Sequence, residues 1–379
     1  MRIAVNTRLM IGDKLDGIGI FTRETLRLIT RAHPEHRFTF LFDRPFAEEY
    51  RFADNVDPII VAPRVREPLT CLYWQEVLLP PLMKRIGADL LFSPEPIHSL
   101  RARLPRLETI HDLNYEHQPE SLTRAWRAYY LRYSRRYARA ADRIATVSDY
   151  SRQDIIHTYG IPAERIDVVF NGAPAERAAF TDEELAATRT ALTGGAPYFY
   201  FVGTMHQRKN IAGMLRAFDI YRQGDDRPVK LVIVGRRKWW SADMEDAWRA
   251  MRHQEEVVFA GRLDDDELAR TAAASLGLVY VPFFEGFGIP LLEAFSAGVP
   301  VLTSAVTSLP EVAAGAAIMA DPESPHSIAE GMRMLAHDDE LRASLVQRGR
   351  LRAADFTWER TAGLLWESMM RTVEEGREG

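Results

Sequence analysis

"LGLVYVPFFEGFGIPLLEAFSAGVPVLTS", residues 276–304, holds two short apolar runs on either side of a segment with helical character. The runs at 276–282 and 300–304 lack the polar alternation of a half-exposed strand, which is the pattern of a sheet covered on both faces. Between them, Pro290 suits the first position of a helix, Gly298 the position just past its end, and Pro300 blocks extension. The expected helix is short, about residues 290–297. A buried strand, a helix and a second buried strand make one crossover unit of a parallel sheet.

Working outward, the unit repeats. "PYFYFVG", "KLVIVG", "VVFAG" and "AAIMAD" read as further strands of the same sheet. An earlier series does likewise: "RIAVNT", "FTFLF", "DPIIVAP", "ADLLFSP", "LETIHDL", "DRIATVS" and "IDVVFNG", with periodic helices such as 21–32 and 123–141 between them. Thr181 and Glu184 have the spacing of a capping box over a helix at 182–192, and the breaker "TGGAP" follows, where the domain boundary is placed. The fold class expected is α/β: two Rossmann-like domains, 1–178 and 196–355, facing across a cleft. Strand C-terminal ends form the binding edge. A final helix within 356–379, with Trp358, Leu365, Trp366 and Met369 near one face, is expected to cross back and pack on the N-terminal domain.

A chain of 379 residues suits two domains better than one core. The formal charge of -5 argues against a nucleic-acid partner, and the single cysteine, Cys71, rules out a disulfide framework. The N-terminus reads as a strand rather than a signal peptide, and no window approaches the roughly 18 apolar residues of a membrane span. The expected location is cytoplasmic. Segment 121–143 interleaves arginines with Trp126, Tyr129, Tyr130, Tyr133 and Tyr137, which makes it a candidate for peripheral contact with anionic headgroups. The pattern favours the plainer alternative, a packed aromatic face with solvated arginines.

Several segments carry chemistry. Glu285 precedes the 290–297 helix on a glycine loop, whereas Glu293 sits within the helix, so the two carboxylates need not act as a pair. Backbone N–H groups near Gly288 and Ile289 would form an anion site at the helix start. A capped core helix with a solvated glutamate fits the spacing equally well. In "FVGTMHQRKN" a strand ends at Gly203, and Arg208 and Lys209 then precede a helix at 211–221. Two cations at a helix start oppose its dipole unless an anion neutralises them, which at a strand-to-helix turn points to a diphosphate. Gly17 and Gly19 fall in the first such turn of the chain, either letting backbone approach a ligand or making a tight turn. His111 ends its strand at the binding edge, placed to donate a hydrogen bond to a sugar hydroxyl. In isolation, a strand-end histidine is more often structural. Asp264 to Asp266 look like a metal site but read better as a helix start capped by Asp264.

Together these segments resemble the retaining, nucleotide-sugar-dependent glycosyltransferases of family 4 (group 1), which have the GT-B fold. The signature is a pair of glutamates with seven residues between them, matched by Glu285 and Glu293, with "VGTMHQRKN", "TSLPEV" and "FTWERTA" in support. The resemblance implies that Glu285 binds the donor sugar and Glu293 the ribose. It implies that Arg208, Lys209 and the backbone at Gly288, Ile289 and Leu291 neutralise the leaving diphosphate. His111 would contact the donor sugar, Gly17 and Gly19 would line the acceptor side, and Gly203, Gly235, Arg262 and Leu263 would belong to the nucleotide site. No metal or cofactor is implied.

Two departures stand out: Thr204 occupies a position where many relatives carry arginine, and Phe283 and Phe284 stand where many carry serine. The closest likeness is to bacterial mannosyltransferase-like members that build surface polysaccharide, implying GDP-mannose, or else a UDP-sugar, as donor and a glycan or lipid-linked glycan as acceptor. The rival readings are a sugar-nucleotide epimerase of the same architecture and a non-catalytic nucleotide-sugar-binding protein.

Overall fold

The computed structural model describes residues 1–12, 15–174 and 179–378. The chain forms two compact units, residues 1–172 with 356–379, and residues 173–355. Residue 178, the expected end of the first domain, lies outside the described residues, as does residue 379. The chain leaves the first unit at Gly172, so the capped helix Asp182–Thr193 belongs to the second unit rather than preceding its boundary. That helix packs against helix Asp265–Ala273 and strand Val257–Gly261. The capping box of Thr181 and Glu184 is present.

The first unit holds a seven-stranded sheet of β1 (Arg2–Asn6), β2 (Arg37–Phe42), β3 (Val56–Ile60), β4 (Leu90–Ser93), β5 (Arg106–Ile110), β6 (Arg143–Thr146) and β7 (Ile166–Val168). All pairs are parallel, in the order β3-β2-β1-β4-β5-β6-β7. One face packs Phe21, Leu26 and Ile29 of helix Gly17–Ala32 together with Leu365 and Met369 of helix Trp358–Glu378. The latter helix is thus part of this unit's core, and Trp366 stacks on His33 with ring centroids 3.8 Å apart. The other face carries Cys71, Trp74, Leu79, Tyr129 and Tyr137.

The second unit holds β8 (Tyr198–Val202), β9 (Lys230–Val234), β10 (Val257–Gly261), β11 (Gly277–Tyr280), β12 (Val301–Ser304) and β13 (Ile318–Ala320), again parallel, in the order β10-β9-β8-β11-β12-β13. Both orders reverse direction at one place, between β1 and β4 and between β8 and β11. In doubly wound sheets that switch point, at the carboxyl ends of the strands, is where ligands bind.

The helix within the opening stretch runs Ile289–Ser296, one residue earlier than expected, with Gly288 as its cap and Pro290 in its second position. Gly298 follows with φ +67°, as a residue just past a helix end should. The first helix of the chain differs more. It begins at Gly17 rather than Phe21, because Asp16 caps it by accepting from the Gly19 N–H at 3.0 Å. Gly17 and Gly19 are therefore helical, not loop residues. A Cβ on Gly19 would meet the Leu15 side chain at 2.8 Å and the Leu9 carbonyl at 3.1 Å, so its smallness serves packing within the turn.

Candidate functional site

The switch point of the second unit gathers most of the residues singled out in its sequence. Gly203 follows β8, Gly235 follows β9, Gly261 ends β10 with Arg262 and Leu263 next, and Glu285 follows β11. The glycines are needed for space: a Cβ on Gly235, whose φ is +144°, would lie 1.9 Å from the Gly203 carbonyl oxygen. Only a bare backbone lets the two strand ends run this close. Gly288, at φ +107°, is similarly confined by Leu309, 2.7 Å from where its Cβ would stand.

Arg208 and Lys209 lie in a single 3₁₀ turn, Gln207–Lys209, before helix Ile211–Gln223. His206 caps the turn by accepting from the Arg208 N–H at 3.2 Å. Asn210, in the left-handed conformation at φ 55°, caps the helix and donates to the Val281 and Pro322 carbonyls at 3.0 and 2.8 Å. The Phe283 N–H donates to the Arg208 carbonyl at 3.0 Å. These bonds tie the loop after β8 to the loop after β11.

Both cations pair with Glu285. Arg208 donates to Glu285 Oε2 at 2.9 Å and to the Phe284 carbonyl at 2.8 Å, and Lys209 donates to the same Oε2 at 2.6 Å. Tyr280 donates to it as well, at 2.9 Å, while accepting from Lys209. The Tyr280 hydroxyl is held well above its usual pKa by burial and by the neighbouring carboxylate, so it stays protonated and can donate. Burial raises the Glu285 pKa, but Lys209 and Arg208 outweigh it and bring the carboxyl down to about 2. All three donors converge on one oxygen; among the described residues none reaches Oε1. Ser308 fixes the backbone of this residue, donating to the Glu285 carbonyl at 2.9 Å.

Glu293 behaves oppositely. Burial and the charge of Asp265 push its pKa up. Two glutamates from one short stretch thus sit in different electrostatic surroundings, consistent with separate roles. Of the donors expected at the helix start, the Leu291 N–H is already used, donating to the Gly288 carbonyl at 3.0 Å.

In the first unit His111 directly follows β5, and its Nε2 lies 3.0 Å from the Pro94 carbonyl. A carbonyl can only accept, so Nε2 carries the proton. Burial lowers the pKa, leaving a neutral ring with Nδ1 as acceptor. The ring proton expected to serve a sugar hydroxyl is therefore committed to Pro94.

This unit's switch point holds a pair that sequence reasoning missed. Arg8, just after β1, is paired with Glu95, just after β4, through the Nε–Nη2 edge of its guanidinium to the two carboxylate oxygens, with the Nε to Oε1 distance 2.5 Å. Asn6 donates to Glu95 Oε1 at 2.7 Å. Both charged side chains are buried. The available signal was an arginine two residues past a buried strand and a glutamate two residues past another. For Tyr280 and Ser308 the signal was weaker: one is the last residue of an apolar strand, and the other lies in a loop.

Asp264 caps helix Asp265–Ala273, accepting from the Asp266 and Glu267 N–H groups at 3.0 and 2.8 Å. Among the described residues, no three His, Cys, Asp or Glu side chains are grouped to hold a metal ion. Among the described residues, no helix is long and apolar enough to cross a membrane.

Comparison with known proteins agrees with this fold. Residues 15–177 match the profile of glycosyltransferase family 4, and residues 182–352 that of glycosyl transferases group 1. O-antigen chain mannosyltransferase B of Escherichia coli is 32% identical over 266 residues, 70% of each chain. The serotype-specific mannosyltransferase WbdA of the same organism is 24% identical over 262 residues, 67% of this chain, which spans only 31% of that relative's length. Anabaena HepE, solved with UDP and glucose, superposes with a TM-score of 0.76 at 17% identity, over 98% of this chain and 100% of HepE. With two parallel-sheet Rossmann-like units in the GT-B architecture and both profiles matched in series, the chain belongs to the group 1, family 4 glycosyltransferases.

Proposed function

We propose that this glycosyltransferase moves a hexose, mannose in the first instance, from a nucleoside-diphosphate sugar to a glycan or lipid-linked glycan acceptor in surface-polysaccharide synthesis, with retention at the anomeric carbon. The observation that carries the reading is the convergence of Arg208, Lys209 and Tyr280 on Glu285 at the switch point of the second unit. The donor is assigned to that unit and the acceptor to the first.

The reaction breaks the bond between the anomeric carbon and the phosphate oxygen, and the electron pair leaves with the diphosphate. Arg208 and Lys209, helped by the backbone at Gly288 and Ile289, stabilise that departing charge. Cations already fixed in place need no reorganisation when the charge develops, the main source of electrostatic catalysis. Glu285, ionised throughout the physiological range, accepts hydrogen bonds from donor-sugar hydroxyls and stabilises the positive charge on the sugar. The acceptor hydroxyl bonds to the anomeric carbon from the face the diphosphate leaves, and its proton passes to a phosphate oxygen. Glu293, less acidic than a free carboxyl, holds the ribose. The mannosyltransferase names of the relatives favour GDP-mannose over a UDP-sugar.

A thermal-shift screen of GDP-mannose, GDP, UDP-glucose and UDP tests the donor, because a ligand that binds only the folded state raises its melting temperature. Stabilisation by GDP-mannose and GDP is expected, and stabilisation by the uridine compounds alone would overturn the mannose assignment. Incubation of the stabilising donor with an acceptor then separates transfer from the rivals. An isomerised donor with no added glycan would identify an epimerase, and binding with neither transfer nor donor hydrolysis a non-catalytic protein.

A further inference from the structure

Three donors meet on one oxygen of Glu285, and they are not equivalent. The side chains of Arg208, Lys209 and Glu285 keep 21%, 14% and 14% of their surface exposed. Tyr280 keeps none. A ligand arriving at the carboxyl edge of this sheet therefore reaches both cations and the carboxylate, whereas the tyrosine lies behind them. The charges differ in the same sense. A diphosphate competes with Glu285 for Arg208 and Lys209, because both are cations. It draws a neutral, buried hydroxyl far less.

Tyr280 is held firmly by the sheet. It is the last residue of β11, which lies between β8 and β12. It pairs with Thr303 of β12, whose hydroxyl donates to the Tyr280 carbonyl at 2.8 Å. Its ring lies against Phe201 of β8, with centroids 6.0 Å apart and planes 20° from parallel. Glu285 stands five residues on, in the loop between β11 and helix Ile289–Ser296. A carboxylate carried by a loop takes its direction from its partners, and a partner carried by a central strand is the more accurate guide.

The tyrosine serves two neighbours through two different groups. Its hydroxyl donates to Glu285 Oε2 at 2.9 Å and accepts from Lys209. Among the described residues, the hydrogen bonds of this hydroxyl go to those two side chains alone. The ring itself faces the Lys209 ammonium, which lies 4.8 Å from its centroid, within cation–π range. Lys209 thus keeps the ring as a partner when it turns from the carboxylate toward a phosphate. Glu285 has no such reserve: once the cations turn away, the Tyr280 hydroxyl is the donor that remains on Oε2.

We infer, on the assignment of Glu285 to the donor sugar and of both cations to the diphosphate, that Tyr280 is a positioning residue for the transfer reaction. Without donor, Arg208 and Lys209 close on the carboxylate. Donor binding divides them, the cations going to the diphosphate, and the Tyr280 hydroxyl holds Glu285 in its sugar-facing direction while the glycosyl bond breaks. Tyr280 touches neither end of that bond and acts through Glu285.

The test is a double-mutant cycle of Tyr280→Phe and Glu285→Ala, with kcat, donor KM and GDP affinity measured on each variant and GDP-mannose and GDP as the probes. Tyr280→Phe keeps the ring and its packing and loses only the hydroxyl. Its kcat should fall about tenfold or more, while donor KM and GDP affinity stay within about threefold of the wild type, because the cations still meet the diphosphate. A damaged fold would lose GDP affinity as well, so this split separates positioning from a structural role. On the Glu285→Ala background the same substitution should cost less than about threefold, because the residue it acts through is already gone. Wild-type kcat in Tyr280→Phe would overturn the inference, as would a defect explained wholly by lost GDP binding or an undiminished cost on the Glu285→Ala background. The two levels fail differently. A slow Glu285→Ala beside an unimpaired Tyr280→Phe removes the role of Tyr280 alone, whereas Glu285→Ala at the wild-type rate removes the role of Glu285 and that of Tyr280 with it.

Discussion

The two switch points of this chain are built alike and charged differently. In the first unit Arg8 and Glu95 satisfy each other edge to edge, buried, with Asn6 taking part in the same network. In the second unit one carboxylate oxygen of Glu285 receives Arg208, Lys209 and Tyr280 at once, while among the described residues no donor reaches the other. A closed ion pair holds loops in place. An over-supplied carboxylate leaves cationic charge in excess, two cations to one anion, which an incoming diphosphate can neutralise. The same topological position thus carries a closed pair in one unit and an excess of cationic charge in the other, where the proposed donor site lies.

Breaking the closed pair should have the largest effect on stability. Arg8→Met strands the buried Glu95 carboxylate and should cost about 3–5 kcal/mol in chemical denaturation. Arg8→Met with Glu95→Gln, which removes both charges, should recover much of that loss; equal losses in the single and double variants would show that the pair is not closed. Lys209→Met acts on the other switch point. It should lower kcat by about 10²–10³-fold with a smaller change in folding stability, because it removes a donor aimed at developing charge.

The acid limb sharpens the contrast further. The Glu285 pKa is about 2 in the folded chain against an ordinary value of 4.5, so its contribution to stability is complete above that ordinary value and fades as pH falls toward 2. The stability gap between the wild type and Glu285→Gln should therefore narrow from pH 5 to pH 2, within about that window. A gap that is constant with pH would mean that the carboxyl is not held down by its cations. The smallest effects are expected at the aspartate run. Asp264→Ala should cost about 1 kcal/mol of stability as a lost helix cap, and Asp265→Ala should leave transfer nearly intact.

Much of this was legible in the sequence. Wholly apolar strands alternating with helices announced the parallel sheets, and Thr181, Asp264 and Gly298 marked helix ends that the structure reproduces, because caps are decided by local chemistry. Gly17 and Gly19 were misplaced because Asp16, a strong cap, starts the helix ahead of the apolar periodicity used to find it. Glu285, Arg208 and Lys209 were each identifiable, but their union was not: "RKN" and "FFEGFG" are far apart in the chain, and strand order alone makes them neighbours. The clasp of Arg8 and Glu95 was missed for the same reason. The tyrosines of helix Arg124–Ala140 showed their spacing in the sequence but not which side of the helix meets the sheet.

The most direct test of the central claim is transfer from GDP-mannose by Glu285→Gln, measured together with its affinity for GDP. If Glu285 acts on the sugar while Arg208 and Lys209 hold the diphosphate, kcat should fall by about 10²–10³-fold, while GDP binds at least as tightly as to the wild type because a competing anion has gone. Transfer at the wild-type rate would contradict the account. So would a loss of activity explained wholly by a loss of GDP binding.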